Sequence, residues 1–140
     1  MKKISISLPG GDQWEKVYGF SRAKVIEDTL IGIKQVYISN TSAFNSKGII
    51  EKPENVGNQV EQVVLNMKKI MELAGGNLND IVETTFYTTN FDFFPEIVHI
   101  HHKYFGELQP ATTLIHVSQM VSSEMLVEGF ARAIISNDNL

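Results

Sequence analysis

Only two stretches of this 140-residue chain carry an apolar stripe at helical spacing, and that shortage limits what the rest can become. In the first, Val60, Val63, Val64, Met67, Met71 and Ala74 fall at i, i+3, i+4, i+7, i+11 and i+14, one face of a helix. Gly75-Gly76 follows it and supplies the left-handed residue on which helices commonly end. In the second, Phe94, Ile97, Ile100 or His101, and Tyr104 carry the stripe. Asp92 is its expected N-cap, Pro95 sits in the first turn where a missing donor costs nothing, and Gly106 closes it.

Elsewhere the pattern is that of strands. Residues 4–8 alternate apolar and polar, and Gly10-Gly11-Asp12 reads as a turn. Residues 20–25 and 30–39 are rich in β-formers around Glu27-Asp28-Thr29, which predicts a hairpin. Residues 40–57 read as a loop. Residues 81–88, 112–117 and 125–135 are further strands, the last two joined by a polar turn at Ser122-Ser123. The order β, β, β, α, β, α, β, β defines an α/β (α+β) fold in one domain, residues 1–140. Two such helices cover one face of a mixed sheet of about six strands. Yet apolar residues occur on both strand parities: Ile31 and Ile33 alternate with Leu30, Val36 and Ile38. The uncovered face needs a cover, and a second copy of the chain supplies one. A homo-oligomer is expected.

Composition removes several functions. With no cysteine there is no disulfide framework, thiol nucleophile or cysteine zinc site. Twelve basic residues against 16 acidic ones give a net charge of −4, and only Lys2-Lys3 and Lys68-Lys69 are adjacent cations. Counterion release requires clustered cations, so nucleic acid is not an expected partner. The N-terminus lacks the apolar stretch of a signal peptide, and no run approaches the roughly 20 residues of a membrane helix. The expected location is cytoplasmic.

Glu128 interrupts the mostly apolar run from Leu126 to Ile135. Desolvated there, a carboxylate is costly unless paired or in use, and its pKa rises toward that of a general acid or a positioner of water. The plainer alternative is a solvent-facing charge beside a bulge at Gly129. Arg22 shares a strand face with Phe20, a grip for a small carboxylate or else an ordinary salt bridge. His99, His101 and His102 lack the acidic residue of a metalloprotease helix, and no metal is expected.

These residues also fit a family. Gly19-Phe20-Ser21-Arg22-Ala23, Val36-Tyr37-Ile38-Ser39-Asn40-Thr41, Gln59-Val60-Glu61-Gln62-Val63-Val64-Leu65-Asn66-Met67, Pro110-Ala111-Thr112-Thr113 and Met125-Leu126-Val127-Glu128 occur in order. Asp80-Ile81-Val82-Glu83-Thr84-Thr85 and Tyr104-Phe105-Gly106 complete the set. Together they resemble the reactive-intermediate deaminase (Rid, YjgF-type) family over almost the whole chain. The resemblance implies a chorismate-mutase-like fold and a homotrimer with ligand clefts between subunits. It also implies hydrolysis of small enamines and imines without metal or organic cofactor. It assigns Glu128 to catalysis, and Phe20, Arg22, Ser39, Asn40, Phe94, Thr112 and Leu114 to a pocket for a small ligand, a carboxylate among the options.

The chain departs from the active deaminases at four places. Thr112 stands where they carry the substrate-gripping arginine, and a hydroxyl offers one neutral hydrogen bond in place of a charge-assisted pair. Phe20 replaces a tyrosine, Phe130 a second glutamate, and Asn40 the glycine after Ser39. Two readings follow: a deaminase-type hydrolase with Glu128 positioning water and Arg22 as substitute clamp, or a non-catalytic trimer that binds a metabolite.

Overall fold

The chain runs β1 (Lys3–Leu8), α1 (Trp14–Tyr18), β2 (Ala23–Asp28), β3 (Ile33–Thr41), α2 (Val56–Ala74), β4 (Ile81–Thr88), α3 (Phe94–Phe105), β5 (Ala111–His116) and β6 (Val127–Ser136). These elements are those of a computed structural model, which describes residues 3–8 and 14–136. The turn expected at Gly10-Gly11-Asp12 lies outside the described residues.

The strands form one six-stranded sheet in the order β1-β2-β3-β6-β4-β5. β4 and β5 pair in parallel and the other pairs are antiparallel. The two long helices pack on one face. There Val36, Ile38, Ala131 and Ala133 join Val60, Val63, Val64, Met67 and Met71 in one buried cluster. Strand alternation turns the intervening residues to the other face, where Tyr37 is 41% and Ile134 48% exposed. The guanidinium of Arg132 lies over the Tyr37 ring there, 5.6 Å from its centroid.

Helix α2 starts four residues ahead of its stripe's first valine, because Asn55 Oδ1 accepts from the Asn58 N–H at 2.9 Å and caps it. It ends on Gly75, at φ 89°, as its Gly-Gly pair predicts. Within it Gln59 is fully buried and fully used. Its Nε2 donates to the carbonyls of Pro53 and Glu124, at 3.0 and 2.8 Å, and its Oε1 accepts from Leu126 N–H at 2.9 Å. That amide ties α2 to the segment entering β6, and so fixes where the strand that carries Glu128 begins.

Several expectations move. The β2–β3 turn lies beyond Asp28, whose Oδ1 accepts from Leu30 N–H at 3.0 Å, with Gly32 at φ 67°. Leu30 and Ile31 are therefore turn residues, exposed by 71% and 59%, not strand residues. Asn90, not Asp92, caps the approach to α3: its Oδ1 accepts from Asp92 N–H at 2.8 Å and starts a 3-10 turn, Phe91–Phe93. Gly106 does close α3 as its C-cap, with right-handed geometry at φ −59°, and the left-handed residue falls at Gln109, φ 53°. Helix α1, five residues long, carries too little periodicity to be seen in the sequence. β5 and β6 are consecutive in sequence but not neighbours, since β6 inserts between β3 and β4.

Candidate functional site

On β6, Val127, Gly129, Ala131 and Ala133 are buried toward the helices, so Glu128, Phe130 and Arg132 point to the open face. The bulge anticipated near Gly129 lies instead on its partner. Ile38 pairs with Ala131 and Thr41 with Gly129, which leaves Ser39 and Asn40 together opposite Phe130. Two residues against one is a β-bulge, and it re-aims the bulged strand. Asn40 Nδ2 thereby donates to Glu128 Oε1 at 3.1 Å. Glu128 is half-buried, and burial raises its pKa above the usual carboxylate range. One neutral amide donor offsets only part of that desolvation.

Gly129 permits this arrangement for a steric reason. A Cβ there would meet the Thr85 carbonyl oxygen at 2.9 Å and the Phe86 ring at 3.0 Å. The residue beside Glu128 must therefore be side-chain-free for β6 to lie against β4 in this register.

Beyond the bulge, Ser39 N–H donates to the Arg22 carbonyl at 2.9 Å, and Ser39 Oγ is buried without a hydrogen-bond partner among the described residues. The Arg22 guanidinium stands over the Phe20 ring, 5.2 Å from its centroid, and its Nε lies 3.4 Å from Glu15 Oε1. Glu15 is only 8% exposed. Arg22 is thus anchored by an acid that sequence reasoning did not single out; the clue available was an acidic residue in the same aromatic-rich segment. Phe20, Arg22, Ser39, Asn40 and Glu128 are linked through these neighbours along one end of β2, β3 and β6.

Thr112 and Leu114 lie elsewhere. On β5 they pair with Thr84 and Phe86, residues of the helix-covered face. Glu128 pairs with Tyr87, three positions further along β4. Three residues along the strand and two strands across separate Thr112 from Glu128 by about 14 Å, on opposite faces. One copy of the chain does not place both on one small molecule. Phe94, half exposed, stands at the first residue of α3.

A hydrogen-bond network surrounds Thr112. Thr84 Oγ1, fully buried, lies 2.8 Å from Thr112 Oγ1 and 2.9 Å from His101 Nε2. Thr112 Oγ1 also donates to the Pro110 carbonyl at 2.9 Å. His101 meets Phe86 edge-on and packs against Phe105, at ring-centroid distances of 5.7 and 4.8 Å. Its ring reaches from the helix across to β4. Burial, and secondarily the charge of His102, lowers its pKa. Among the described residues no three histidine or acidic side chains gather as metal ligands. No described helix is long and apolar enough to cross a membrane.

The comparisons with known proteins agree with this architecture. Residues 20–135 match the family model described as Endoribonuclease L-PSP, and the chain belongs to that family. It is 34% identical over 74 residues to RutC family proteins of Pyrococcus abyssi and Pyrococcus horikoshii, covering 53% of this chain and 58% of each of theirs. The chain thus spans under two thirds of the length of those relatives. A 2-iminobutanoate/2-iminopropanoate deaminase of Dermatophagoides farinae is 25% identical over 85 residues, 61% of this chain and 66% of that one. A YjgF/YER057c/UK114 family structure from Mycobacterium tuberculosis superposes with a TM-score of 0.78 at 22% identity, covering 94% of this chain and all of that one (100%). A Rid family protein of Yersinia pestis gives 0.76 at 24% identity, covering 94% of this chain and 100% of that one. Those two likenesses concern the fold.

Proposed function

We propose that this chain is a deaminase-type hydrolase acting on a small enamine, imine or related amino-acid-derived metabolite, in clefts formed between copies of the chain. One observation carries the reading. Glu128 is a half-buried carboxyl group with a raised pKa, held on one oxygen by Asn40 on a purpose-shaped bulge. In this reading its second oxygen orients a water. Hydrolysis needs little more: water adds to the C=N carbon, its proton passes to nitrogen, and the carbinolamine expels ammonia to leave the carbonyl. A carboxyl group whose pKa burial raises is suited to take and return a proton in both transfers. No step calls for a metal or an organic cofactor.

The separation of Thr112 from Glu128 supports a composite site. A second copy on the open face would bring its own β5 edge toward Glu128, the arrangement expected of a homotrimer. The acidic charge argues against RNA cleavage as the activity.

A second reading, a trimer that binds a metabolite without turning it over, draws on Thr112 and Arg22. Thr112 brings no charge, and Arg22 is engaged by Glu15. The deciding assay follows carbonyl release from 2-iminobutanoate, generated by a dehydratase, and from a neutral N–H ketimine of similar size. Acceleration of either by the protein, absent in Glu128→Ala, is expected. No acceleration of either substrate overturns the hydrolase in favour of the binding protein.

A further inference from the structure

The contacts around Thr112 determine where its proton goes. The Pro110 carbonyl is an acceptor only, so the 2.9 Å contact to it requires the Thr112 hydroxyl to donate. Thr112 then has no proton for Thr84, 2.8 Å away, and Thr84 must donate to Thr112. Thr84, its own proton so engaged, has none left for the ring nitrogen 2.9 Å away, and His101 must donate from Nε2. The opposite direction would leave two bare oxygens at 2.9 Å between Thr112 and Pro110. Only one orientation, His101 to Thr84 to Thr112 to Pro110, gives every short contact a proton. Protonation of His101 would not reverse it, because the imidazolium also donates from Nε2.

Thr112 is nonetheless exposed on β5. What it shows to a neighbour is therefore a lone pair and no donor. We propose that Thr112, fixed in this way by Thr84 and His101, is a specificity-determining hydrogen-bond acceptor. It selects ligands that present a donor at that end (a carboxamide, hydroxyl or ring N–H) and disfavours a carboxylate. A carboxylate oxygen set against a donor-less oxygen gains no bond and meets like partial charge, whereas an amide N–H makes a bond of ordinary geometry. The inference rests on the reading that Thr112 lines the ligand cleft, and it narrows the substrate class of that site to neutral molecules.

Two experiments test it. The first needs no ligand: ¹⁵N NMR of the His101 ring. A protonated, pyrrole-type Nε2 at neutral pH is expected, and a bare, pyridine-type Nε2 overturns the proposal because the chain would then run the other way. The second compares binding of 2-oxobutanamide and 2-oxobutanoate by calorimetry. The amide is expected to bind about tenfold more tightly, with the advantage lost in Thr112→Val, which removes both the acceptor for the amide and the repulsion of the oxo acid. Equal or tighter binding of the oxo acid, or no binding of the amide, overturns the selectivity. Amide binding that ignores both Thr112→Val and Glu128→Ala instead sinks the underlying site, a distinct outcome.

Discussion

The two faces of the sheet treat polar side chains in opposite ways. On the helix-covered face Thr84 and Gln59 are fully buried and fully bonded. On the open face Glu128 is half-buried, has one amide donor and carries a raised pKa. The first face is at rest, and its polar groups fix positions. The second holds a desolvated carboxyl group with a raised pKa, the kind of group that proton transfer draws on. Satisfaction of hydrogen bonds, rather than burial alone, separates the scaffold from the candidate chemistry.

Substitutions break that contrast to different degrees. The largest effect is expected from Glu128→Ala, which should lower kcat/KM for imine hydrolysis by about 10²–10⁴-fold while leaving the urea midpoint no lower than that of the parent. A collapse of the fold with the activity would instead mark Glu128 as structural. Gly129→Ala should cost about 1–3 kcal/mol of stability through overpacking against Thr85 and Phe86. It should lower activity as well, since it displaces the neighbouring Glu128. Denaturant unfolding and the hydrolysis assay read the two effects separately.

On the satisfied face, Thr84→Val leaves the His101 N–H without its acceptor and should cost about 1–3 kcal/mol by urea unfolding. Thr84→Ser, which keeps the hydroxyl, should recover most of it. A neutral Thr84→Val would show that the network is incidental.

Smaller still is a pH effect. Because the folded-state pKa of Glu128 is raised, the native state binds its proton more tightly than the unfolded chain does. Stability therefore falls as pH rises from the unfolded carboxylate value through the folded one. Glu128→Gln should raise the Tm at pH 7 relative to the parent by more than it does at pH 4, and a larger gain at pH 4 contradicts the sign. The least effect is expected from Lys103→Ala. Lys103 forms a surface pair with Glu61 between α2 and α3, of a kind that seldom contributes measurably, and the thermal midpoint should not move.

How far the site was legible depends on sequence distance. Glu128 stood out because a charge within an apolar run is conspicuous. Its partner Asn40 lies 88 residues away, and only the β3 bulge joins them. Arg22 was readable as half of a salt bridge, but not that the other half was Glu15, because a five-residue helix leaves no periodic trace. Thr112 was visible as a departure from a family pattern. That its hydroxyl proton points to Pro110, with Thr84 and His101 behind it, depends on residues 28 and 11 positions away.

By itself the sequence determined the two helical stripes, the strand at residues 81–88 and the glycine end of α2. It also determined that two helices leave one sheet face uncovered. Those follow from local periodicity and backbone preference, which act within a few residues. The insertion of β6 between β3 and β4, the bulge that aims Asn40 at Glu128, and the placing of Thr112 and Glu128 on opposite faces came only with the tertiary structure. Each is set by pairing between distant strands, where hydrogen-bond register and the two-residue alternation decide which side chains meet.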